Sequence, residues 1–355
     1  MAKIVVAMSG GVDSSVAAAL LQQQGHEVTG MMLRLWSEPG KEDANRCCTP
    51  DAMALARRVA AKLDIPFYVV DAKDAFRSTV VQAFLDGYAS GRTPNPCLTC
   101  NRLIRWGLLL DRALALGADF LATGHYVRRR TAEDGRLELL RAVDRAKDQS
   151  YVLHVLSQEQ LARSLFPVGE YTKPEIRALA RTFGLPAAHR PDSQDLCFLA
   201  GEDYRGFLRR HAPQSLSPGP ILTRAGRTLG QHTGLADYTI GQRKGLGIAS
   251  RQPLYVLEKD VSRNALIVGS AEELGSVEAL VGGINWMHGA PPAGPFRAEV
   301  KTRYTAREVW AEVTPLEAGE QARVRFDAPV RDLTPGQAAV FYDGDLVLGG
   351  GLLIA

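Results

Sequence analysis

Seven residues near the start of the chain, Ser9-Gly10-Gly11-Val12-Asp13-Ser14-Ser15, bring together paired glycines, serine hydroxyls and a carboxylate. An apolar run from Lys3 to Met8 precedes them and reads as a buried strand. The segment Ser14 to Gln24 follows and reads as a helix closed by Gly25. At such a junction backbone N–H groups and the positive end of a helix converge, and glycine lets the backbone come close. The chemistry this suits is the holding of a phosphate chain. The run lacks the lysine of G-x-x-x-x-G-K-[ST] and does not have the spacing G-x-G-x-x-G, so neither a P-loop nor a dinucleotide fold is favoured. On spacing alone, an ordinary glycine-rich turn fits as well.

The cysteines form the second group. Cys97-Leu98-Thr99-Cys100 sits behind the proline-rich stretch Thr93-Pro94-Asn95-Pro96 and ahead of a helix-like segment. A C-x-x-C pair is half of a structural zinc site, but the chain offers no second pair, and the adjacent Cys47 and Cys48 would point apart. The remaining thiol is Cys197, in Asp192-Ser193-Gln194-Asp195-Leu196-Cys197-Phe198. Three thiolates could hold an iron–sulfur cluster with one iron left open, or two of them could carry thiol and persulfide chemistry. Both options handle sulfur. A buried, inert Cys197 is the plain alternative.

Three polar strings recur in loops: Lys147-Asp148-Gln149-Ser150, Thr239-Ile240-Gly241-Gln242-Arg243-Lys244-Gly245 and Lys301-Thr302-Arg303-Tyr304. Lys and Arg in such loops pair with phosphates, while Gln and Tyr contact or stack on bases. Singly, each reads as a solvated loop. Arg128-Arg129-Arg130, beside Asp134-Gly135, reads as an exposed hairpin. His125, in the turn Ala122-Thr123-Gly124-His125-Tyr126, reads as satisfied by backbone.

The elements that must position these residues alternate strand and helix through residue 200, the pattern of an α/β fold with a parallel sheet covered by helices. Thr49-Pro50-Asp51 starts a helix running to Lys62, Ile65 to Asp71 is a third strand, Arg102 to Leu116 is a helix, and Asp119 to Gly124 is a short strand. Thr172-Lys173-Pro174-Glu175 is a capping box. Residues 201–280 read as a loop-rich central domain. Residues 281–355 read as a small β-barrel, with strands such as Glu299 to Tyr304, Glu308 to Val313, Ala322 to Phe326 and Ala338 to Tyr342, and a hairpin turn at Asp343-Gly344. A length of 355 residues exceeds one compact core, and 46% hydrophobic with 23% charged residues excludes disordered and collagen-like classes. The net charge of +3 is too small to argue for a nucleic-acid partner by itself. An odd count of five cysteines without a secretion signal argues against a disulfide framework. With no membrane-length apolar run, the expectation is a cytoplasmic protein without a membrane partner.

S-G-G-V-D-S-S resembles the PP-loop of the N-type ATP pyrophosphatases, which cleave ATP between its α and β phosphates and adenylate an oxygen of the substrate. Taken in order, that run with G-R-T-P-N-P-C-L-T-C-N, A-T-G-H-Y, K-D-Q-S-Y, D-S-Q-D-L-C-F, Y-T-I-G-Q-R-K-G-L-G-I-A and K-T-R-Y resembles the bacterial tRNA-specific 2-thiouridylases over nearly the whole chain. The resemblance implies 2-thiolation of the wobble uridine of tRNAs for Lys, Glu and Gln, using ATP and Mg²⁺ and releasing AMP and pyrophosphate. It implies sulfur from a cysteine desulfurase or sulfur-relay carrier, and a Rossmann-like PP-loop domain followed by a central domain and a C-terminal β-barrel. By the same resemblance Ala7, Met8, Ser9, Gly10, Gly11, Val12, Asp13, Ser14, Leu33 and Gly124 hold ATP, with Asp13 also counted as catalytic. Asn95, Pro96 and Cys97 lie against the target base; His125, Lys147, Asp148, Gln149, Arg303, Tyr304 and Gln337 touch tRNA. Cys100 is the nucleophile and Cys197 carries the persulfide. Some members carry Asp at the position of Cys97 for acid–base work, and the third thiol here opens the alternative that Cys97, Cys100 and Cys197 bind a [4Fe-4S] cluster whose open iron carries sulfide. Two rivals come from other classes. An amide-forming PP-loop synthetase has no use for the cysteines, and the intact S-G-G-V-D-S-S speaks against a non-catalytic RNA-binding redox sensor.

Overall fold

A computed structural model describes residues 1–41, 49–192, 196–331 and 333–354. Cys47 and Cys48 lie outside the described residues, as do Ser193, Gln194 and Asp195. The N-terminal part contains β1 (Lys3–Ala7), β2 (Glu27–Arg34), β3 (Phe67–Asp71), β4 (Phe120–Thr123), a hairpin of β5 (Val127–Thr131) and β6 (Leu137–Arg141), and β7 (Ser164–Leu165). Five of these form a parallel sheet in the order β3-β2-β1-β4-β7. Ile4, Val5 and Val6 are at most 2% exposed, as a central parallel strand covered on both faces requires. The chain leaves β1 for β2 on one side and β4 on the other. This reversal opens a crevice at the carboxyl ends of β1 and β4, the place where open α/β sheets bind ligands.

The helices form where their end signals stand. In Pro50–Lys62 the Thr49 hydroxyl accepts from the Ala52 N–H at 3.0 Å, with Pro50 in the first turn and Lys62 in the last. In Lys173–Thr182 Glu175 accepts from the Thr172 N–H at 2.7 Å, closing the expected box. Two longer helical runs, residues 73–89 and 96–115, each include a π-helical stretch, Arg77–Val81 and Cys100–Leu109. They enclose an aromatic core of Trp36, Phe76, Phe84, Phe198 and Phe207.

The middle of the chain departs from its loop-rich reading. It is a four-stranded sheet of β8 (Gly219–Thr223), β9 (Thr228–His232), β10 (Tyr255–Asp260) and β11 (Ala265–Gly269), in the order β10-β11-β8-β9. Its strands are only five or six residues long, and Ile221, Val256, Leu266 and Val268 close over one small core. Beyond it, β12 (Ser276–Trp286), β13 (Phe296–Lys301), β14 (Val309–Leu316), β15 (Gln321–Val330), β16 (Ala338–Asp343) and β17 (Leu346–Leu353) make a barrel, closed by pairing of β12 with both β15 and β17.

The Arg128–Arg130 hairpin is more than a solvated loop. It extends the barrel sheet, with Leu140 of β6 opposite Leu346 of β17. Arg128 and Arg145 both pair with Asp345, Arg141 pairs with Glu308 at 2.6 Å, and the Arg141 guanidinium stacks 3.7 Å from the Tyr342 ring centre. The hairpin thus fastens the barrel to the domain that carries the crevice. Among the described residues no helix is long and apolar enough to cross a membrane.

Candidate active site

The crevice is a cleft of about 330 Å³, within the usual range for a small-ligand site. Ser9 to Ser14 wall one end, and Met31, Leu33, Leu35 and Leu109 make an apolar side. Gly11 is the N-cap of helix Val12–Gln23 and has no side chain to cap it, so the positive end of a 12-residue helix stands in the cleft wall. Gly10 has φ +70°, and a Cβ there would stand 2.4 Å from the Ala52 carbonyl oxygen. Gly124 allows β4 to approach the loop: a Cβ would fall 2.6 Å from the Ser14 nitrogen. Both glycines are therefore required by the close packing of the loop.

Charge is concentrated beside the loop. Lys173 Nζ, in a residue only 8% exposed, donates to Asp13 Oδ1 and Oδ2 at 2.7 and 2.9 Å, and stands 3.0 Å from Asp192. Tyr126 donates its hydroxyl to Asp13 at 2.8 Å. Asp192 also accepts from Lys147 and Arg177, each at 2.8 Å. Burial of the Asp192 carboxyl opposes its ionisation, but hydrogen bonds from Lys147 and Lys173 outweigh this and hold it at about 2. The bond to Asp192 likewise raises the Lys147 ammonium. Arg190 donates to the Gly10 carbonyl at 3.0 Å. Lys147, Lys173 and Arg190 all line the cleft, so this end presents cations and helix N–H groups as a polyphosphate requires.

Two of the three described thiols, Cys97 and Cys100, belong to the helix 96–115 itself. Cys97 is exposed, Cys100 is buried and Cys197 is half-buried. Cys100 belongs to the aromatic core, and Cys197 packs against that same core. Among the described residues no group of three or more His, Cys, Asp or Glu side chains is placed to hold a metal ion. The [4Fe-4S] expectation for Cys97, Cys100 and Cys197 therefore finds no support in this arrangement.

Family models match the chain in three segments: a tRNA methyl transferase HUP domain over residues 2–201, a tRNA methyl transferase PRC-barrel domain over 205–270, and an aminomethyltransferase beta-barrel domain over 276–353. A protein of Roseiflexus castenholzii named tRNA-specific 2-thiouridylase MnmA is 52% identical, covering 99% of this chain and 99% of that one. One of the same name from Chloroflexus aggregans is 51% identical, covering 99% and 98%. The chain belongs to the tRNA-specific 2-thiouridylase family. It is thus a member of a family of sulfurtransferase enzymes, and the PP-loop domain accounts for ATP use.

Within this thiouridylase the residues expected at tRNA divide into two sets. Tyr304 is 45% exposed and lines the cleft from the barrel, its ring centre 6.1 Å from that of Tyr151. Lys147 and Gln149 also line the cleft, Gln149 accepting from the Tyr126 N–H at 3.0 Å. The others are engaged internally. Asp148 is 8% exposed and accepts from the Ala142 N–H at 3.0 Å and from the Ser150 hydroxyl at 2.6 Å. His125 lines the cleft as well, but is 7% exposed and held between Thr123 and Arg105. Arg303 donates to the Ile240 carbonyl at 3.2 Å and to Thr334, and Gln337 donates to the Thr93 carbonyl at 2.8 Å. Arg303 and Gln337 hold the central sheet, the barrel and the loop before Cys97 in one arrangement. Asn95 is an N-cap, accepting from the Cys97 N–H at 3.1 Å, and Pro96 behind it is buried. Sequence reasoning passed over Lys173, Arg190, Tyr126 and Arg105 as site residues. Lys173 was hidden inside a capping box, and nothing in the spacing marks the other three.

Proposed function

We propose that this chain 2-thiolates the wobble uridine of tRNAs for Lys, Glu and Gln, activating uridine O2 with ATP and drawing sulfur from a cysteine desulfurase or sulfur-relay carrier. The observation that carries this reading is the shared wall of the cleft. The helix that begins at Cys97-x-x-Cys100 supplies Arg105 and Leu109 to the same cleft whose far end is Ser9 to Ser14. ATP laid along it has its polyphosphate at the loop, Lys173 and Arg190, and its nucleoside at the apolar side.

Asp13 is the carboxylate at the phosphate end, and Mg²⁺, which binds through one or two carboxylates plus substrate phosphates, fits there. When bound it would neutralise charge on the phosphates. Uridine O2 forms a bond to the α-phosphorus as the bond to pyrophosphate breaks and the N3 proton is released; the loop N–H groups and Lys173 stabilise the charge that develops. A uridine in a stacked loop cannot reach the cleft, so the base is turned out into it. The terminal sulfur of a Cys197 persulfide attacks C2 and AMP departs. The Cys100 thiolate then attacks the Cys197 sulfur, breaking the S–S bond. The thiocarbonyl is released and a Cys100–Cys197 disulfide remains for an external thiol to reduce. Packing of both residues against one core supports this pairing.

The test supplies full-length protein, iron-loaded or iron-free, with ATP, Mg²⁺, a persulfide donor and unmodified tRNA for Glu, and reads digested nucleosides by mass spectrometry. Equal 2-thiouridine from both preparations is expected. Activity only in the iron-loaded form would overturn the persulfide route. A methylated nucleoside, or ATP–pyrophosphate exchange without tRNA, would overturn the reaction itself.

A further inference from the structure

Arg105 belongs to none of the motifs, yet its placement is specific. It follows Cys100 by about one turn of the π-helical stretch Cys100–Leu109 and lines the cleft beside Leu109. Its Nη1 donates to His125 Nε2 at 2.8 Å and to Asn101 Oδ1 at 3.3 Å. A guanidinium can only donate, so His125 Nε2 carries the lone pair, and its proton sits on Nδ1, donated to Thr123 Oγ1 at 2.8 Å. Burial, and then the charge of Arg105, keep this imidazole neutral. Asn101 is fixed in turn, its amide donating to the Val152 carbonyl at 2.9 Å. Two buried neutral acceptors, each anchored behind, thus take both Nη1 hydrogens and fix the orientation of the guanidinium.

The cations Lys147, Lys173 and Arg190 gather at the loop end around Asp13, Asp192 and the Gly10 carbonyl. Arg105 stands instead on the helix that supplies the apolar side. A nucleotide with pyrophosphate at the loop and nucleoside against Leu33 and Leu109 has its α-phosphate between the two groups. We infer that Arg105 binds this α-phosphate, and afterwards the phosphate of the adenylated base, with His125 as its positioning residue. The inference rests on the ATP-dependent reading above. It places a cation at the phosphorus where charge rises in the first step and on the group that leaves in the second.

Calorimetry on the full chain with AMP, adenosine and inorganic pyrophosphate, each with Mg²⁺, separates the subsites. Arg105→Ala is expected to weaken AMP about ten- to a hundredfold, the worth of one charge-assisted hydrogen bond. Adenosine and pyrophosphate should stay within about twofold. Arg105→Gln, which keeps length and loses charge, gives the same pattern and decides the matter if the alanine variant does not fold. His125→Ala weakens AMP in the native background but not in Arg105→Ala, a coupling that a merely structural role would not produce. Unchanged AMP affinity, or an equal loss for adenosine, would overturn the inference. Native protein that forms 2-thiouridine while its Arg105 variants bind AMP normally sinks this inference alone. Native protein that forms none while the variants lose AMP selectively sinks the reaction assignment alone.

Discussion

Lys173→Met removes one ammonium from between two carboxylates and keeps the chain length of the side chain. In the native cleft Lys173 lies 2.7 Å from Asp13 and 3.0 Å from Asp192, with side-chain exposures of 10%, 29% and 24% for the three residues. A fully exposed pair is worth about 0–1 kcal/mol, and breaking a fully buried one costs about 3–5 kcal/mol. Asp13 retains Tyr126, and Asp192 retains Lys147 and Arg177, so a cost of about 2 kcal/mol is expected. For a domain of this size that is a fall in Tm of roughly 4–8 °C. Function should suffer more than stability. In the proposed reaction the same ammonium faces the pyrophosphate as the α–β bond breaks, and losing one preorganised donor costs on the order of a hundredfold in kcat. Initial rates of tRNA-dependent pyrophosphate release, with tRNA and ATP varied in turn, measure this; kcat should fall while KM for tRNA stays within about threefold. Lys173→Arg should restore part of the rate. A Met variant that releases pyrophosphate at the native rate would show that Lys173 only ties Asp13 to Asp192, and the charge argument for the loop end would fail.

Three further outcomes are expected. Cys100→Ser, assayed without added thiol, should still release pyrophosphate in a single turnover but leave the tRNA joined to Cys197 through a disulfide to C2, seen as a thiol-sensitive protein–tRNA adduct on a non-reducing gel; free 2-thiouridine from this variant would exclude Cys100 as the resolving thiol. In Gly124→Ala the new methyl meets the Ser14 and Asp13 backbone at 2.6 and 2.8 Å. Nucleotide affinity should therefore drop at least tenfold, with about 1–3 kcal/mol of stability lost, and calorimetry showing native ATP affinity would contradict the packing described. His154 is 2% exposed, and burial lowers its pKa from 6.5 to about 4 despite the hydrogen bond to the Tyr151 carbonyl. The unfolded chain takes up this proton first. Stability is therefore full above about pH 6.5 and falls toward pH 4, by up to about 3 kcal/mol from this residue. His154→Asn, whose amide can reproduce the donation to Tyr151, should flatten urea midpoints between pH 7 and 4.5; an unchanged slope would assign the acid loss elsewhere.

The legible parts of the fold were those with local signals. Thr49-Pro50-Asp51 and Thr172 to Glu175 mark helix starts within a few residues because caps satisfy backbone groups nearby in sequence. Gly10 could be suspected from its place between a strand and a helix and Gly124 only through the family resemblance, and the reason for Gly124, an approach to the Ser14 backbone, is a contact between elements far apart in the chain. The central sheet escaped notice because its short strands are broken by Gly and Pro and paired out of order, β11 lying beside β8. Lys173 could not be read as a site residue, since its position in a helix's first turn explains it fully until the fold brings it to Asp13. The motif containing Asp148 looked like a polar loop open to RNA. Only the structure shows the carboxylate turned inward to hold the 142–150 turn, leaving Lys147 and Gln149 facing the cleft.

The cleft is completed by a part of the chain that does not belong to its own sheet. Tyr304 closes it from the loop between β13 and β14, and that loop is placed by the barrel. The barrel is seated in turn by Leu346 opposite Leu140 and by Arg141 against Glu308 and Tyr342. Tyr342 lies 3.1 Å from the Ser150 hydroxyl, which donates to Asp148. One connected set of contacts therefore runs from the barrel through Arg141 and Tyr342 to the turn that presents Lys147. A change that loosens the barrel must displace the groups at both rims of the cleft together, Tyr304 directly and Lys147 through Asp148. It follows that a load on the barrel reaches the nucleotide end of the cleft without contact there, because the strand pairing that seats the barrel and the turn that carries Lys147 share the same side chains.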